Sequence, residues 1–183
     1  MSQNPAPINF VVTLLGQDHI GIVEAFSHAV ADHSGTWCES RVLQVDTQFG
    51  GVFRAQLPSD QADAFEAALR TEFEGEFQLG VARSQAVDAP QQDGNSFSVR
   101  VICSDRQGLV EDFAHMCTER SINIVELQTE LQTAAMSGLV LFCINAVAEC
   151  SSPLDRSEFA SAIETLGHDV VVDFVDADRP SDA

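Results

Sequence analysis

A six-residue motif occurs twice in the chain, each time after a run of alternating apolar residues. It reads DHIGIV at residues 18–23 and DRQGLV at residues 105–110, and an apolar pattern of helical period begins at each glycine. The first turn of a helix has backbone N–H groups without partners and a partial positive charge. Because glycine has no Cβ, a ligand can approach those groups closely. The motif therefore predicts a site for a small anion such as a carboxylate, or else a helix start that Asp18 or Asp105 caps, with nothing bound.

His28 and His115 are the other residues of the repeated pattern that could do chemistry. Each follows a glutamate by four residues, Glu24 and Glu111 respectively, on the polar face of its predicted helix. An exposed pair of this spacing stabilises a helix slightly and needs no further function. A metal site would need both pairs to converge, so we predict pairs that are solvated or lie at a contact between domains, and no metal.

The charge balance excludes several classes of function. The 183 residues include 28 acidic and 9 basic residues, for a net charge of −19, and every basic residue is an arginine. Without lysine there is no Schiff-base chemistry and no phosphate-loop lysine. Scattered arginines among so many carboxylates cannot form the cationic stripe that nucleic acids or anionic membranes require. We therefore expect no direct nucleic-acid binding and no membrane binding, and no motif indicates a cofactor.

The cysteines and the N-terminus indicate the compartment. Five cysteines are present, an odd number, and no two have the C-x-x-C spacing of zinc or redox sites. Reduced thiols of this kind are typical of cytoplasmic proteins. The N-terminus has no basic segment followed by an apolar run, so we predict no signal peptide and a cytoplasmic protein.

The two motifs belong to a longer internal repeat with a spacing of 87 residues. Between positions 10 and 51, 11 of 42 residues are identical to the residue 87 positions later. Chance would give about two or three identities, so the chain contains two copies of one ancestral unit. The identical pairs are Phe10/Phe97, Val12/Val99, Asp18/Asp105, Gly21/Gly108, Val23/Val110, Glu24/Glu111, Phe26/Phe113, His28/His115, Ser34/Ser121, Glu39/Glu126 and Gly51/Gly138.

Each copy has the same predicted order of elements. Period-two alternation from Phe10 and from Phe97 predicts a first strand, and apolar residues at helical spacing after each glycine predict a helix. A hairpin, a second helix and a last strand follow in both copies, with the hairpin turns expected at residues 48–51 and 134–138. The order βαββαβ is that of the ferredoxin-like split βαβ motif, so the predicted fold class is α+β, with two such domains in tandem.

A polar segment separates the two copies in the sequence. Residues 84–96 are polar and contain Pro90 and Gly94, so they are predicted to be a linker. The predicted domains are residues 8–83 and 97–176, followed by a polar tail at 177–183. Exposed strand edges near Val42 and Leu131 favour pairing of the domains, either within one chain or across a homodimer.

The motif and the element order together resemble the ACT domain, a small regulatory module that binds ligands. Two such units filling a chain of this length are similar to the family of the glycine cleavage system transcriptional repressor. The resemblance covers roughly residues 8–83 and 95–175. It implies that the domains pair and that a small amino acid binds at the interface of a pair.

The resemblance also implies which residues contact the ligand, namely the loop after the first strand and the start of the second strand. Asn123-Ile124 matches the Asn-Ile that the family often has there, whereas the first copy has Thr36-Trp37, and Trp37 is expected to fill space. We therefore favour the second loop, where Arg106 would hold a carboxylate and Asp105 an ammonium group. The implied ligand-binding residues are Asp18, His19, Gly21, Ile22, Asp105, Arg106, Gln107, Gly108, Leu109 and Asn123.

Three functions stay open. The resemblance favours a non-enzymatic regulatory protein that senses a small amino acid, such as glycine, and modulates gene expression through a protein partner, for instance a basic DNA-binding regulator. A small enzyme on the same scaffold is the alternative, and it would need His28, His115 or the loop carboxylates as its acid and base. A third alternative is a partner subunit whose amino-acid site is vestigial.

Overall fold

The computed structural model describes residues 6–85, 95–133 and 138–175, and it divides the chain into two compact units, Met1–Pro90 and Gln91–Ala183. Each unit has the element order βαββαβ, so the predicted α+β fold of two ferredoxin-like domains is confirmed. Among the described residues, no helix has the length and apolarity needed to cross a bilayer.

The first unit is a four-stranded antiparallel sheet with two helices packed on one face. Its elements are β1 (Ile8–Gln17), α1 (Ile22–Asp32), β2 (Thr36–Val45), β3 (Gln48–Leu57), α2 (Ala62–Phe73) and β4 (Phe77–Gln85). The strand order is β2-β3-β1-β4. Because side chains alternate along a strand, Phe10, Val12 and Leu14 of β1 are buried beneath the helices, whereas Val11 and Leu15 face the other way and are exposed.

Aromatic side chains dominate the core of the first unit. The ring of Phe26 on α1 stacks on Phe53 of β3 with 4.4 Å between centroids. Phe10 meets Phe65 of α2 edge-on at 5.0 Å. Such pairs stabilise a core beyond the burial of their area, by about 0.5–1.5 kcal/mol each. They fix both helices against the middle of the sheet.

The second unit repeats this arrangement with a smaller aromatic content. Its elements are β5 (Asn95–Ser104), α3 (Leu109–Glu119), β6 (Ile122–Thr133), β7 (Val140–Cys150), α4 (Arg156–Glu164) and β8 (Val171–Val175). The strand order is β6-β7-β5-β8. Phe97 of β5 meets Phe159 of α4 edge-on at 6.0 Å, and the rest of this core is largely aliphatic.

The two copies share local irregularities as well as elements. The register between β2 and β3 shifts at Cys38, and that between β6 and β7 shifts at Val125, 87 residues later. Ser34 and Ser121, which follow α1 and α3, both have positive φ. Features of this kind are retained within families. The duplication therefore extends to backbone detail that alternation of apolar residues does not show.

Three predicted boundaries differ from the observed ones. The turn expected at residues 48–51 lies instead at Asp46-Thr47, because Asp46 adopts φ 55° and a two-residue turn suffices, so β3 already begins at Gln48. The predicted linker is shortened at both ends, since residues 84–85 continue β4 and residues 95–96 begin β5. Residues 86–94, the second hairpin turn at 134–137 and the predicted tail at 177–183 lie outside the described residues.

Candidate functional site

Both loops that carry the repeated motif end in a glycine with left-handed backbone. Gly21 has φ 106° and Gly108 has φ 82°, and each is the N-cap of its helix. No side chain of the described residues caps either helix start. A Cβ on Gly21 would meet no atom within 4 Å. The first-turn N–H groups of α1 and α3 are therefore open to an acceptor that the unit itself does not supply.

The predicted residues that follow these glycines can contribute only backbone. Ile22 and Leu109 are buried in their respective cores, at 2% and 3% exposure. Their side chains anchor the first turn of each helix beneath the loop. A ligand at the helix start would meet their N–H groups rather than their side chains.

The first loop is held by its backbone and by His19, and not by its carboxylate. The N–H of Asp18 donates to the carbonyl of Thr47 at 2.9 Å, which ties the loop to the β2–β3 turn. His19 Nε2 lies 2.9 Å from Glu76 Oε1 in the connection between α2 and β4. The Asp18 carboxylate has no hydrogen bond or ion pair with any described residue. The alternative in which Asp18 caps α1 is therefore wrong.

The second loop is held by Arg106, whose three nitrogens all contact the protein itself. Nε donates to the carbonyl of Leu166 at 3.0 Å, and Nη1 donates to that of Gln107 at 3.2 Å. Nη2 forms an ion pair with Asp112 of α3 at 2.6 Å. These contacts use three of the five N–H donors of the guanidinium, and Asp112 already neutralises its charge. Arg106 is thus a brace of the loop in this structure and is not poised to hold a carboxylate.

Residues at the same position of the repeat hold the two loops through different interactions. His19 and Arg106 lie 87 positions apart, and each reaches the connection between the second helix and the last strand of its own unit. Beside Arg106, the hydroxyl of Ser104 donates to the carboxylate of Asp169 and lowers the pKa of Asp169. Sequence reasoning missed Glu76, Leu166 and Asp169, because partners that distant in sequence leave no local pattern.

Asp105 and Gln107 complete the second loop. Asp105 is exposed, does not cap α3 and has no hydrogen bond or ion pair with any described residue. Gln107 is exposed, and its carbonyl accepts from Arg106. Asp105 is therefore the side chain of this loop that can receive a ligand ammonium group.

Asn123 lies at the opposite end of the unit from the second loop. It pairs with Glu149 on β7, whereas Ser104, which precedes the loop, pairs with Leu141 of the same strand. Eight residues of an antiparallel strand span about 27 Å. The Asn123 side chain is exposed and has no partner among the described residues. Within one unit, Asn123 and the loop of Asp105 therefore cannot contact the same small molecule.

The start of the second strand differs between the copies as the sequence indicated. The indole ring of Trp37 meets Phe26 and Phe53 edge-on, with centroids 5.3 and 5.5 Å away. The prediction that Trp37 fills space is confirmed. In the second unit Ile124 packs against the core at this position, and Asn123 precedes it on the surface.

His28 and His115 are exposed on the helix surfaces, as predicted. The partner of His115 is Glu119, at 3.4 Å, rather than the predicted Glu111. Both glutamates are four residues from His115, and spacing alone cannot choose between them. Among the described residues, no cluster of histidine, cysteine and carboxylate groups has the geometry of a metal site.

Asp105 lines neither of two surface cavities that the described residues of the second unit form. A groove of about 500 Å³ runs between α3 and α4, where Arg106 and Arg120 are balanced by Asp112 and Glu119. A second cavity of about 320 Å³ lies beneath the residues that precede α4. Burial raises the pKa of the nearby Cys117 thiol to about 11, so this group is an unreactive core side chain.

The comparisons with known proteins agree with this fold. The family model of the ACT domain matches residues 9–80. A structure of unknown function from Galdieria sulphuraria is 27% identical, with a TM-score of 0.77, and covers 92% of this chain and 97% of its own. A protein provisionally assigned as a glycine cleavage system transcriptional repressor is 19% identical, with a TM-score of 0.66, and covers 92% of this chain and 98% of its own. No curated protein matches the sequence significantly.

Proposed function

Taking this chain as a tandem ACT-domain protein, similar in fold to the glycine cleavage repressor, we propose that it is a non-enzymatic regulator that binds a small amino acid. The single observation that carries the proposal is the pair of uncapped helix starts at Gly21 and Gly108. Each offers backbone N–H groups to a carboxylate beside a carboxylate without partners, Asp18 or Asp105. An α-amino acid has the complementary charges, with its carboxylate for the amides and its ammonium group for the aspartate.

In this proposal, a second domain supplies the other ligand contacts at the glycine loop. Asn123 has an amide that can both donate and accept, but it lies about 27 Å along the sheet from the loop of its own unit. A second ACT-like domain, paired with opposite polarity, would bring an Asn123 amide next to a glycine loop. We therefore assign the amino acid to the interface of paired domains, whether the pair forms within one chain or between two copies.

The first ligand to test is glycine, the smallest amino acid, because the absence of a Cβ on each loop glycine allows its carboxylate to approach the first-turn N–H groups closely. The predicted role of Arg106 is reassigned in this proposal. Since the guanidinium is engaged by Leu166 and Asp112, it positions the second loop and does not hold the ligand.

The regulatory output goes through a protein partner. A chain with 28 acidic and 9 basic residues is repelled by nucleic acid and attracts basic proteins. We propose a basic DNA-binding regulator as the partner, so that the amino acid modulates gene expression without direct contact with DNA. Binding of such a regulator, assayed with and without glycine, tests this part separately.

Calorimetry of the full chain against the 20 amino acids tests ligand binding. We expect heat with at least one small amino acid, and Asn123→Ala should weaken that binding about 10-fold or more by removing a hydrogen bond to a charged group. Asn145→Ala, in the middle of β7 of the same unit, is the matched control and should bind normally. No heat with any amino acid would show that the site is vestigial and would overturn the proposal.

A further inference from the structure

The cavity of about 320 Å³ in the second unit, which we call the α4 cavity, has the mixed lining of a small-molecule site. Its apolar lining includes Leu154 and Phe159, and its polar lining includes the hydroxyl groups of Ser151 and Ser152. Phe159 is 1% exposed and belongs to the core of this unit. Ligand sites in proteins are concave, begin at about 300 Å³ and combine apolar walls with a few polar groups. The α4 cavity therefore has the size and the lining that suit a small ligand.

Two side chains of opposite charge line the α4 cavity and do not pair with each other. Arg120, at the C-terminal end of α3, donates from Nη1 to the carbonyl of Met116 at 3.2 Å and lies 4.0 Å from Glu119. Most of its N–H donors thus have no hydrogen bond to any described residue. The carboxylate of Glu158, in the first turn of α4, has no hydrogen bond or ion pair with any described residue. The cavity therefore offers both a cation and an anion to a ligand.

The third charged group of the cavity, Asp155, is already engaged by the protein. Its Oδ1 accepts from the backbone N–H groups of Ser157 and Glu158 at 3.0 and 3.1 Å and so caps α4. This cap also fixes the first turn of α4, which carries Glu158, against the segment that precedes the helix. Glu158, and not Asp155, is therefore the acceptor that remains for a ligand.

The first unit shows that the fold itself does not require this pair of charges. His33 stands 87 positions before Arg120; its Nδ1 lies 2.8 Å from the carbonyl of Ala29, and its ring centroid lies 5.8 Å from that of Phe65. Ala64 takes the place of Glu158, since each is the third residue after the N-cap of its helix. The connection before the helix is also longer in the second unit, with residues 151–155 against residues 58–61. The charged pair and the longer connection are therefore features of the second unit and not of the repeat.

We infer that the α4 cavity binds an α-amino acid with an apolar side chain, at a site separate from the glycine loops. The guanidinium of Arg120 can receive the carboxylate through two parallel hydrogen bonds, and the carboxylate of Glu158 can receive the ammonium group. The apolar side chain of the ligand then lies against Leu154 and Phe159. A chain of net charge −19 repels a ligand of net negative charge but not a zwitterion. The site lies within one unit, so it needs neither a paired domain nor the open helix starts.

Amide chemical shifts of the full nitrogen-15-labelled chain test the inference. The chain is titrated separately with L-alanine, L-valine and L-leucine up to about 10 mM, so that even a Kd of about 1 mM is detected. We expect saturable shifts at Ser121, Ser151 and Leu154 with at least one of the three. The signals of Gly21 and Gly108 report on the glycine loops in the same spectra. Shifts at the glycine loops alone would overturn the inference and leave the proposed function standing, and the absence of any shift would also overturn the inference.

Analogues that lack one charge test whether both charged groups contact the ligand. For leucine they are 4-methylpentanoate, which has no ammonium group, and 3-methylbutylamine, which has no carboxylate. Each should bind in the α4 cavity at least about 10-fold more weakly than the amino acid, because it leaves Glu158 or Arg120 without its partner. Binding of the acid or the amine as strong as that of the amino acid would contradict the assignment.

Variants locate the binding on the two charged residues. Glu158→Gln and Arg120→Gln should each weaken binding of the amino acid at least about 10-fold. Glu164→Gln on α4 and Arg100→Gln on β5 remove the same charges from residues that do not line the cavity, and they should bind like the wild type. Far-ultraviolet circular dichroism checks that each variant is folded. Unchanged binding by folded Glu158→Gln would contradict the inference, and this exposed, isosteric change decides if Arg120→Gln does not fold.

Discussion

At the scale of the residue, Ser34 and Ser121 show how the duplicated chain ends a helix. They have φ values of 57° and 54°, a backbone region that side chains with a Cβ enter at a cost of about 1–2 kcal/mol. The left-handed residue reverses the chain so that the N–H of Gly35 donates to the carbonyl of Val30 at 2.8 Å. This hydrogen bond gives a partner to one of the carbonyls at the C-terminal end of α1. Glycine is the usual residue at such a position.

Ser34→Gly should therefore raise the free energy of unfolding of the first unit by about 1 kcal/mol, since glycine adopts positive φ without strain. Urea unfolding followed by the fluorescence of Trp37 measures this change. The control is Ser27→Gly in the interior of α1, where glycine should lower the stability by about 0.5 kcal/mol. A loss of stability in Ser34→Gly would show that the serine side chain has a role that its backbone angle does not indicate.

At the scale of the element, an ion-pair network ties α2 to β4. Arg83 of β4 contacts both Asp63 and Glu66 of α2, and Arg70 contacts Glu66 from the next turn of the helix. The hydrogen bonds from Arg70 and Arg83 lower the pKa of Glu66 below its ordinary value of 4.5. Because the folded state thus favours the ionised form, the stabilisation is fully present above about pH 4.5 and is lost as the pH falls through the lowered pKa.

Glu66→Gln should accordingly destabilise the first unit by about 1 kcal/mol at pH 7 and by progressively less as the pH falls below 4.5. Chemical denaturation at a series of pH values, followed by Trp37 fluorescence, gives the difference. Glu72→Gln on the same helix changes a carboxylate without an ion pair among the described residues and should show little pH-dependent effect. A deficit for Glu66→Gln that is equally large at pH 3 and pH 7 would contradict this assignment.

The elements themselves were largely predictable from residue periodicity. Phe10, Val12 and Leu14 alternate as a half-buried strand must, and Phe26 and Val30 repeat at helical spacing. The β2–β3 turn was misplaced because Gly50 and Gly51 look like turn residues. In the structure they lie within β3, and Asp46 makes the turn. A left-handed aspartate is less common than a glycine, so composition pointed to the wrong residues.

At the scale of the whole molecule, the buried residues form two separate cores, one in each unit. The chain has one tryptophan and no tyrosine, so Trp37 reports on the first unit alone. Each unit has a core of its own, and the described strands form one sheet within each unit. We therefore expect the units to unfold as two independent transitions.

Phe159→Ala tests this independence, because Phe159 is 1% exposed in the second core and its loss should cost about 3–5 kcal/mol. In denaturant unfolding, the transition followed by circular dichroism should acquire an additional phase at lower denaturant concentration. The midpoint of the transition followed by Trp37 fluorescence should not change. Phe65→Ala in the first core is the reciprocal control and should move the fluorescence midpoint. A shift of the Trp37 midpoint in Phe159→Ala would show that the units unfold together.

The sequence by itself determined the duplication, the order of the elements, the alternation of the first strand of each copy and the two glycine loops, because all of these are local or periodic patterns of residue type. The tertiary structure alone decided that Arg106 is engaged by Leu166, that Asn123 lies at the far end of the sheet, and that Asp18 and Asp105 do not cap their helices. These facts depend on strand register and on partners as many as 60 residues away. Neither the strand register nor these distant partners can be read from the spacing of residues in the sequence, because contacts between distant segments arise only when the chain has folded.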